Sequence, residues 1–114
     1  GGIKQGLEYA LLTDEITRSW SGMKTKEYKQ HKGLKKESLR DNMTNAELVL
    51  NMLAELSATE IAKNENPMGL AENMAVAKRG GNVARQARLQ LEQETGKKVV
   101  SGANSKLLKR VDKE

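Results

Sequence analysis

The clearest helical pattern opens at Thr44-Asn45-Ala46-Glu47. This run matches a capping box, in which the threonine oxygen accepts from the N3 amide and the glutamate reaches back to the cap. Leu48 to Lys63 then contains neither Gly nor Pro, and the spacing predicts a central helix over 44–63. Its apolar stripe is Val49, Met52, Leu53 and Leu56, extended by Ile61, and these side chains are expected to face the core. Asn64 to Pro67 ends the helix, because proline removes a donor and disfavours helical geometry before it.

Upstream, Leu7, Leu11, Ile16 and Trp20 recur at helical spacing, with Gly22 as a C-terminal stop and Trp20 as a core anchor. Thr25 is the expected cap of a short basic helix running to Lys32 and closed by Gly33, and Ser38 of one further turn. Downstream, Leu70 to Arg79 reads as a helix broken by Gly80-Gly81. Asn82 is expected to cap another helix, whose stripe is Val83, Ala84, Ala87 and Leu91 and which Thr95-Gly96 ends. Leu107, Leu108 and Val111 suggest a last amphipathic turn or two. The expected fold class is all-α: a small irregular helical bundle of five or six helices. It forms one domain over 1–104, followed by a charged tail at 105–114. The chain begins Gly1-Gly2 without Met, which suggests part of a longer protein.

Composition supports a helical fold and narrows the chemistry. Phe is absent, and Tyr9, Trp20 and Tyr28 are the only aromatics, which argues against an aromatic-rich sheet core. Val99-Val100 is too short to support a sheet. The absence of Cys excludes disulfides, thiolate zinc sites and cysteine nucleophiles. With His31 the sole histidine, a charge relay or multi-histidine metal site within this chain is excluded too. The acids are scattered rather than paired on one face, so no catalytic residue, metal or cofactor is expected. No apolar run is long enough to span a bilayer, so the expectation is a cytoplasmic protein with no membrane partner.

The net charge of +5 is zoned. Residues 24–40 carry seven basic side chains against Glu27 and Glu37, residues 41–77 carry six acids and only Lys63, and residues 78–114 carry ten basic residues against four acids. Such zoning permits a basic surface for a polyanion, or a fold in which the acidic middle lies against its basic neighbours. The nucleic-acid candidates are Lys29, Lys32, Lys35, Lys36 and Arg40 in the first zone and Lys78, Arg79, Arg85 and Arg88 in the second. Lysine and arginine clusters neutralise backbone phosphates with little sequence preference, and Tyr28 is placed to stack on a base or to join the core. Gly80, Gly81 and Asn82 form a second candidate, a phosphate site made by the amides of a helix N-terminus. A plain hinge is the alternative reading of that glycine pair.

The ordered residues also resemble a family. Ala10-Leu11-Leu12-Thr13-Asp14-Glu15-Ile16-Thr17 is followed by Tyr28 and by Lys32-Gly33-Leu34-Lys35-Lys36-Glu37-Ser38-Leu39-Arg40-Asp41-Asn42-Met43-Thr44. Later come Leu53-Ala54-Glu55, Thr59-Glu60-Ile61, Gly80-Gly81-Asn82-Val83-Ala84, Ala87-Arg88, Leu91-Glu92 and Thr95-Gly96-Lys97-Lys98-Val99-Val100-Ser101. Over residues 10–104 this order resembles the C-terminal helical region of DNA-damage-inducible protein D (DinD)-like proteins. Similar segments follow Bro-N or KilA-N type domains in phage and prophage regulators. The resemblance implies a non-enzymatic role in the DNA-damage (SOS) response, on DNA or on a DNA-bound protein such as the RecA filament. It supplies no binding residues. The alternative is a protein-interaction or homo-oligomerisation module, with DNA binding supplied by a preceding domain such as these regulators carry.

Overall fold

Thr44 opens the central helix as its sequence demands. Its hydroxyl accepts from the Glu47 amide at 3.2 Å, and the Glu47 carboxylate accepts from the Thr44 amide at 2.9 Å. In the computed structural model, which describes residues 2–106, that helix is α3 (Asn45–Glu65). It is preceded by α1 (Gly2–Ser21), α2 (Thr25–His31) and a 3-10 turn at Arg40–Asn42, and followed by α4 (Gly69–Thr95). Among the described residues four complete α-helices stand where five or six were expected, and no strand occurs. Residues 107–114, including Leu107, Leu108 and Val111, lie outside the described residues.

The stops behave as the sequence suggests. Gly22 takes φ +88° after α1 and Gly96 takes φ +71° after α4, conformations that glycine adopts without the steric cost of a Cβ. Asn66, also left-handed, closes α3 ahead of Pro67. The short helix α2 does not start as expected. Lys24, not Thr25, is its first flanking residue, and no side chain caps it.

The expected break at Gly80-Gly81 is absent, because α4 runs unbroken through both glycines. Mid-helix glycine costs up to about 1 kcal/mol relative to alanine, so packing must offset it. A Cβ on Gly80 would lie 2.4 Å from the Ala58 nitrogen of α3, and one on Gly81 would lie 2.4 Å from the Ser19 Cβ of α1. The two glycines are where α4 crosses both neighbours at backbone contact. α1 and α3 each lie along α4 and touch one another much less. The described residues span 50 × 34 × 18 Å, a depth of about two helix diameters at ~10 Å each.

The apolar stripe of α3 is turned the other way from its expected orientation. Val49, Met52 and Leu56 are at least half exposed, and on α4 Val83 and Leu91 are exposed as well. Of the nine stripe positions on the two helices, Ala84 lies in the core and only Leu53 and Ala87 pack against it. The face of α3 that does point inward is Glu47, Leu50, Asn51, Ala54 and Ala58. Two causes combine. The crossing at Gly80 requires small residues opposite it, and the partners of Trp20, Tyr28 and Lys32 require polar ones. Trp20 and Tyr28 are both fully buried, 6.2 Å apart between ring centroids, and Trp20 donates to Asn51 Oδ1 at 3.0 Å.

After α4 the chain returns across the molecule as a strap. Val99 is buried in the core and its amide donates to Glu92 at 3.0 Å. The Ser101 amide donates to Glu47 at 3.2 Å, and the Ser105 amide to Asn42 Oδ1 at 2.9 Å.

Candidate nucleic-acid interface

The two basic zones meet different fates in the fold. Lys32 is only 2% exposed. Its ammonium donates to Glu47 at 2.7 Å and to the Ala103 carbonyl, and lies 5.6 Å from the centre of the Tyr28 ring. Glu47 is buried with it and also accepts from the Tyr28 hydroxyl. Burial first, and then the hydrogen bond and charge of Glu47, push the Tyr28 phenol well above its ordinary pKa. Lys32 and Tyr28 are therefore structural. Neither reaches solvent to touch a phosphate or stack on a base, which corrects Lys32 as a phosphate contact and leaves Tyr28 its core reading. A buried lysine survives only where its charge is matched, and the acid that matches it lies fifteen residues along the chain.

Several arginines are engaged by the acidic middle of the sequence or by their own helix. Arg40 pairs with Glu55 at 2.9 Å, and Arg79 with Glu65 at 2.7 Å. The second pair raises the arginine pKa and lowers that of the glutamate, through the hydrogen bond they share. Arg88 donates to the Trp20 carbonyl at 2.8 Å and to both oxygens of Glu92. Burial opposes ionisation of Glu92, but the Val99 amide and Arg88 outweigh it and hold its pKa low. The acidic zone therefore does lie against the basic zones, at Lys32, Arg40 and Arg79.

Gly80, Gly81 and Asn82 do not form a helix N-terminus. They sit inside α4, where backbone amides are bonded within the helix, and both glycines are buried. The amide-based phosphate site expected there does not exist. Asn82 is half-buried and lines a cleft with its side chain instead.

Three of the remaining cations gather beside the C-terminal half of α1. Lys26, Lys29 and Lys35 border a cleft of about 600 Å³ with Asp14, Thr25, Gln30 and Leu34. Asp14 accepts from the Thr25 amide at 3.0 Å, which ties the start of α2 back to α1. The Lys35 and Lys36 amides both donate to Glu37 at 3.0 Å. Hydrogen bonds to its own amide and to those two lower the Glu37 pKa, so it is ionised at neutral pH and offsets part of the local charge. The Lys35 and Lys36 side chains are exposed.

A second cleft, of about 300 Å³, lies between α1 and α4 and is lined by Arg18, Ser19, Gly22, Lys78, Asn82 and Arg85. Lys26 and Arg18 are missing from the sequence-based candidates. Arg18 was legible only as the residue one turn beyond Asp14 on α1. Asp14 lines one cleft and Arg18 the other, and these two residues are about 6 Å apart along the α1 axis at 1.5 Å per residue.

The chain matches no family model, no curated protein and no solved structure. Among the described residues no helix is long and apolar enough to cross a membrane.

Proposed function

We propose that this chain is a non-catalytic helical module that contacts nucleic acid through phosphates. In this reading it is the C-terminal part of a DinD-like DNA-damage-response or prophage regulatory protein. The observation that carries the reading is the convergence of Lys26, Lys29 and Lys35 on one open cleft, with Lys36 beside it. The folded protein pairs Lys32, Arg40, Arg79 and Arg88 with its own acids and leaves this group on the open cleft. Exposed lysines without base-reading geometry give salt-dependent, sequence-tolerant binding.

The test is a titration against single- and double-stranded DNA at two salt concentrations. The triple change Lys26→Gln, Lys29→Gln, Lys35→Gln is expected to weaken binding for all sequences alike. It should flatten the slope of log K on log salt by about 2.1 for single strands and about 2.7 for duplex, at 0.7–0.9 per lost phosphate contact. Surface substitutions of this kind usually cost within about 0.5 kcal/mol, and circular dichroism checks that α2 persists. A folded triple variant with an unchanged slope sinks the reading.

A second reading, a protein-contact or self-association module, is favoured by the outward stripe of Val49, Met52 and Leu56 on α3. Contiguous exposed apolar surface commonly marks a protein interface. Sedimentation distinguishes its origin: association through this stripe persists as salt rises, whereas pairing between charge zones is screened away.

A further inference from the structure

We infer that the cleft between the C-terminal turn of α1 and the middle of α4 is a seat for one phosphate group. Lys78, Asn82 and Arg85 recur along α4 at spacings of four and three, which puts them on one helix face. Gly81 brings that face against α1, since the position of its absent Cβ is 2.4 Å from Ser19. The close approach carries the α4 cations to Arg18 and Gly22, and the five side chains and Gly22 enclose about 300 Å³. That is the small end of the ~300–1,000 Å³ range of ligand pockets.

The charge balance favours an anion. Arg18 is paired with Glu15 one turn back on α1, and this hydrogen bond and charge raise its pKa. Among the described residues Lys78 and Arg85 make no ion pair, so two positive charges are left over once Glu15 is counted. A helix C-terminus ordinarily repels anions. Here two of the last four carbonyls of α1 are already bonded, Trp20 to the Arg88 guanidinium and Arg18 to the Gly22 amide. Asn82 adds a neutral donor beside the charges, as phosphate recognition uses, while the Ser19 hydroxyl donates to Glu15. The ligand chemistry is a phosphate oxygen, from a nucleic-acid backbone or from a free phosphate. The backbone source rests on the function proposed above, while the seat itself stands on the cleft.

The experiment titrates the isotopically labelled full chain by amide-detected NMR, with three arms. Inorganic phosphate at constant ionic strength is expected to shift the Gly22, Asn82 and Arg85 amides saturably. A short oligothymidylate is expected to shift the same amides together with those of Lys26, Lys29 and Lys35. In the third arm, Lys78→Ala, Arg85→Ala and the double variant are compared for oligonucleotide binding against salt. Both side chains are exposed on a helix, so alanine is expected to leave the fold intact.

Because one phosphate is shared, the double variant is expected to lower the salt slope by about 0.7 and not about 1.4. A loss near 1.4 means two separate contacts and overturns the single seat. No phosphate shift together with an unchanged slope overturns the cleft altogether, while the Lys26, Lys29, Lys35 triple variant still reports on nucleic-acid binding. Phosphate shifts without oligonucleotide binding support the seat with free phosphate as its source and overturn the nucleic-acid reading instead.

Discussion

Glu47→Gln is expected to lower folding stability by about 3–5 kcal/mol, the usual cost of stranding one partner of a buried ion pair. Against total stabilities of about 5–15 kcal/mol, that is enough to leave much of the chain unfolded. Glu47 is the acceptor at which α2, α3 and the strap meet: it takes the Tyr28 hydroxyl, the Lys32 ammonium and the amides of Thr44 and Ser101. The neutral amide leaves the Lys32 ammonium inside the fold without a counter-charge and turns an NH2 towards two of the four donors. Lys32→Met is expected to cost less, because Glu47 then keeps three donors. The double variant is expected to fall short of the sum of the single losses, since residues in one network do not act additively. Urea denaturation followed by fluorescence of Trp20, the single tryptophan, measures all three. A loss below about 1 kcal/mol for Glu47→Gln would mean that the strap and α2 are held by something else.

The same network sets an alkaline limit. Burial and then Glu47 raise the Tyr28 pKa above its ordinary 10.0, so the folded protein keeps a proton that the unfolded chain releases. The associated stability is present in full below pH 10 and declines as pH rises past it, at up to about 1.4 kcal/mol per pH unit. Arg88 opposes the shift without reversing it, and Lys32 lies over the same ring.

Much of the fold was legible residue by residue. The capping box at Thr44, the stops at Gly22, Asn64–Pro67 and Gly96, and Trp20 as an anchor all follow from local chemistry. What failed was the inference from side-chain size to burial. The rule that large apolar residues mark the inner face assumes helices spaced by such residues. Here α4 buries nothing larger than valine, and the inner face of α3 carries Glu47 and Asn51. Periodicity found a real stripe at Val49, Met52 and Leu56, but one that faces away from α4. The candidate cations failed for a related reason. Which of them are spent on Glu47, Glu55 or Glu65 depends on contacts between segments fourteen or fifteen residues apart, and net charge does not encode those pairings.

Gly80→Ala separates the two readings of the glycine pair by the sign of its effect. If the pair were a hinge in an exposed helix, alanine would stabilise by about 0.8–1.0 kcal/mol through helix propensity alone. In the observed crossing the new methyl meets the Ala58 nitrogen, Cα and Cβ at 2.4, 2.5 and 2.6 Å. Those are backbone-fixed atoms, so no side-chain rotation relieves the contact, and α3 and α4 must move apart along their length. Overpacking typically costs about 1–3 kcal/mol and occasionally more. A contact this close belongs at the upper end, so a net loss of about 2 kcal/mol remains after the propensity gain. Gly81→Ala drives a methyl at the Ser19 Cβ and, at 3.0 Å, the Ile16 carbonyl. It is therefore expected to loosen α1 instead, and with it the cleft that Arg18 shares with Lys78 and Arg85. Gly6, with nothing within 4 Å of its Cβ position, provides the control: Gly6→Ala should be neutral or stabilising. Thermal melts of the three variants read the signs directly. Amide hydrogen exchange adds an independent measure, because an unbroken α4 protects residues 80–84 and a hinge there would not. Stabilisation by Gly80→Ala equal to that by Gly6→Ala would refute the close crossing.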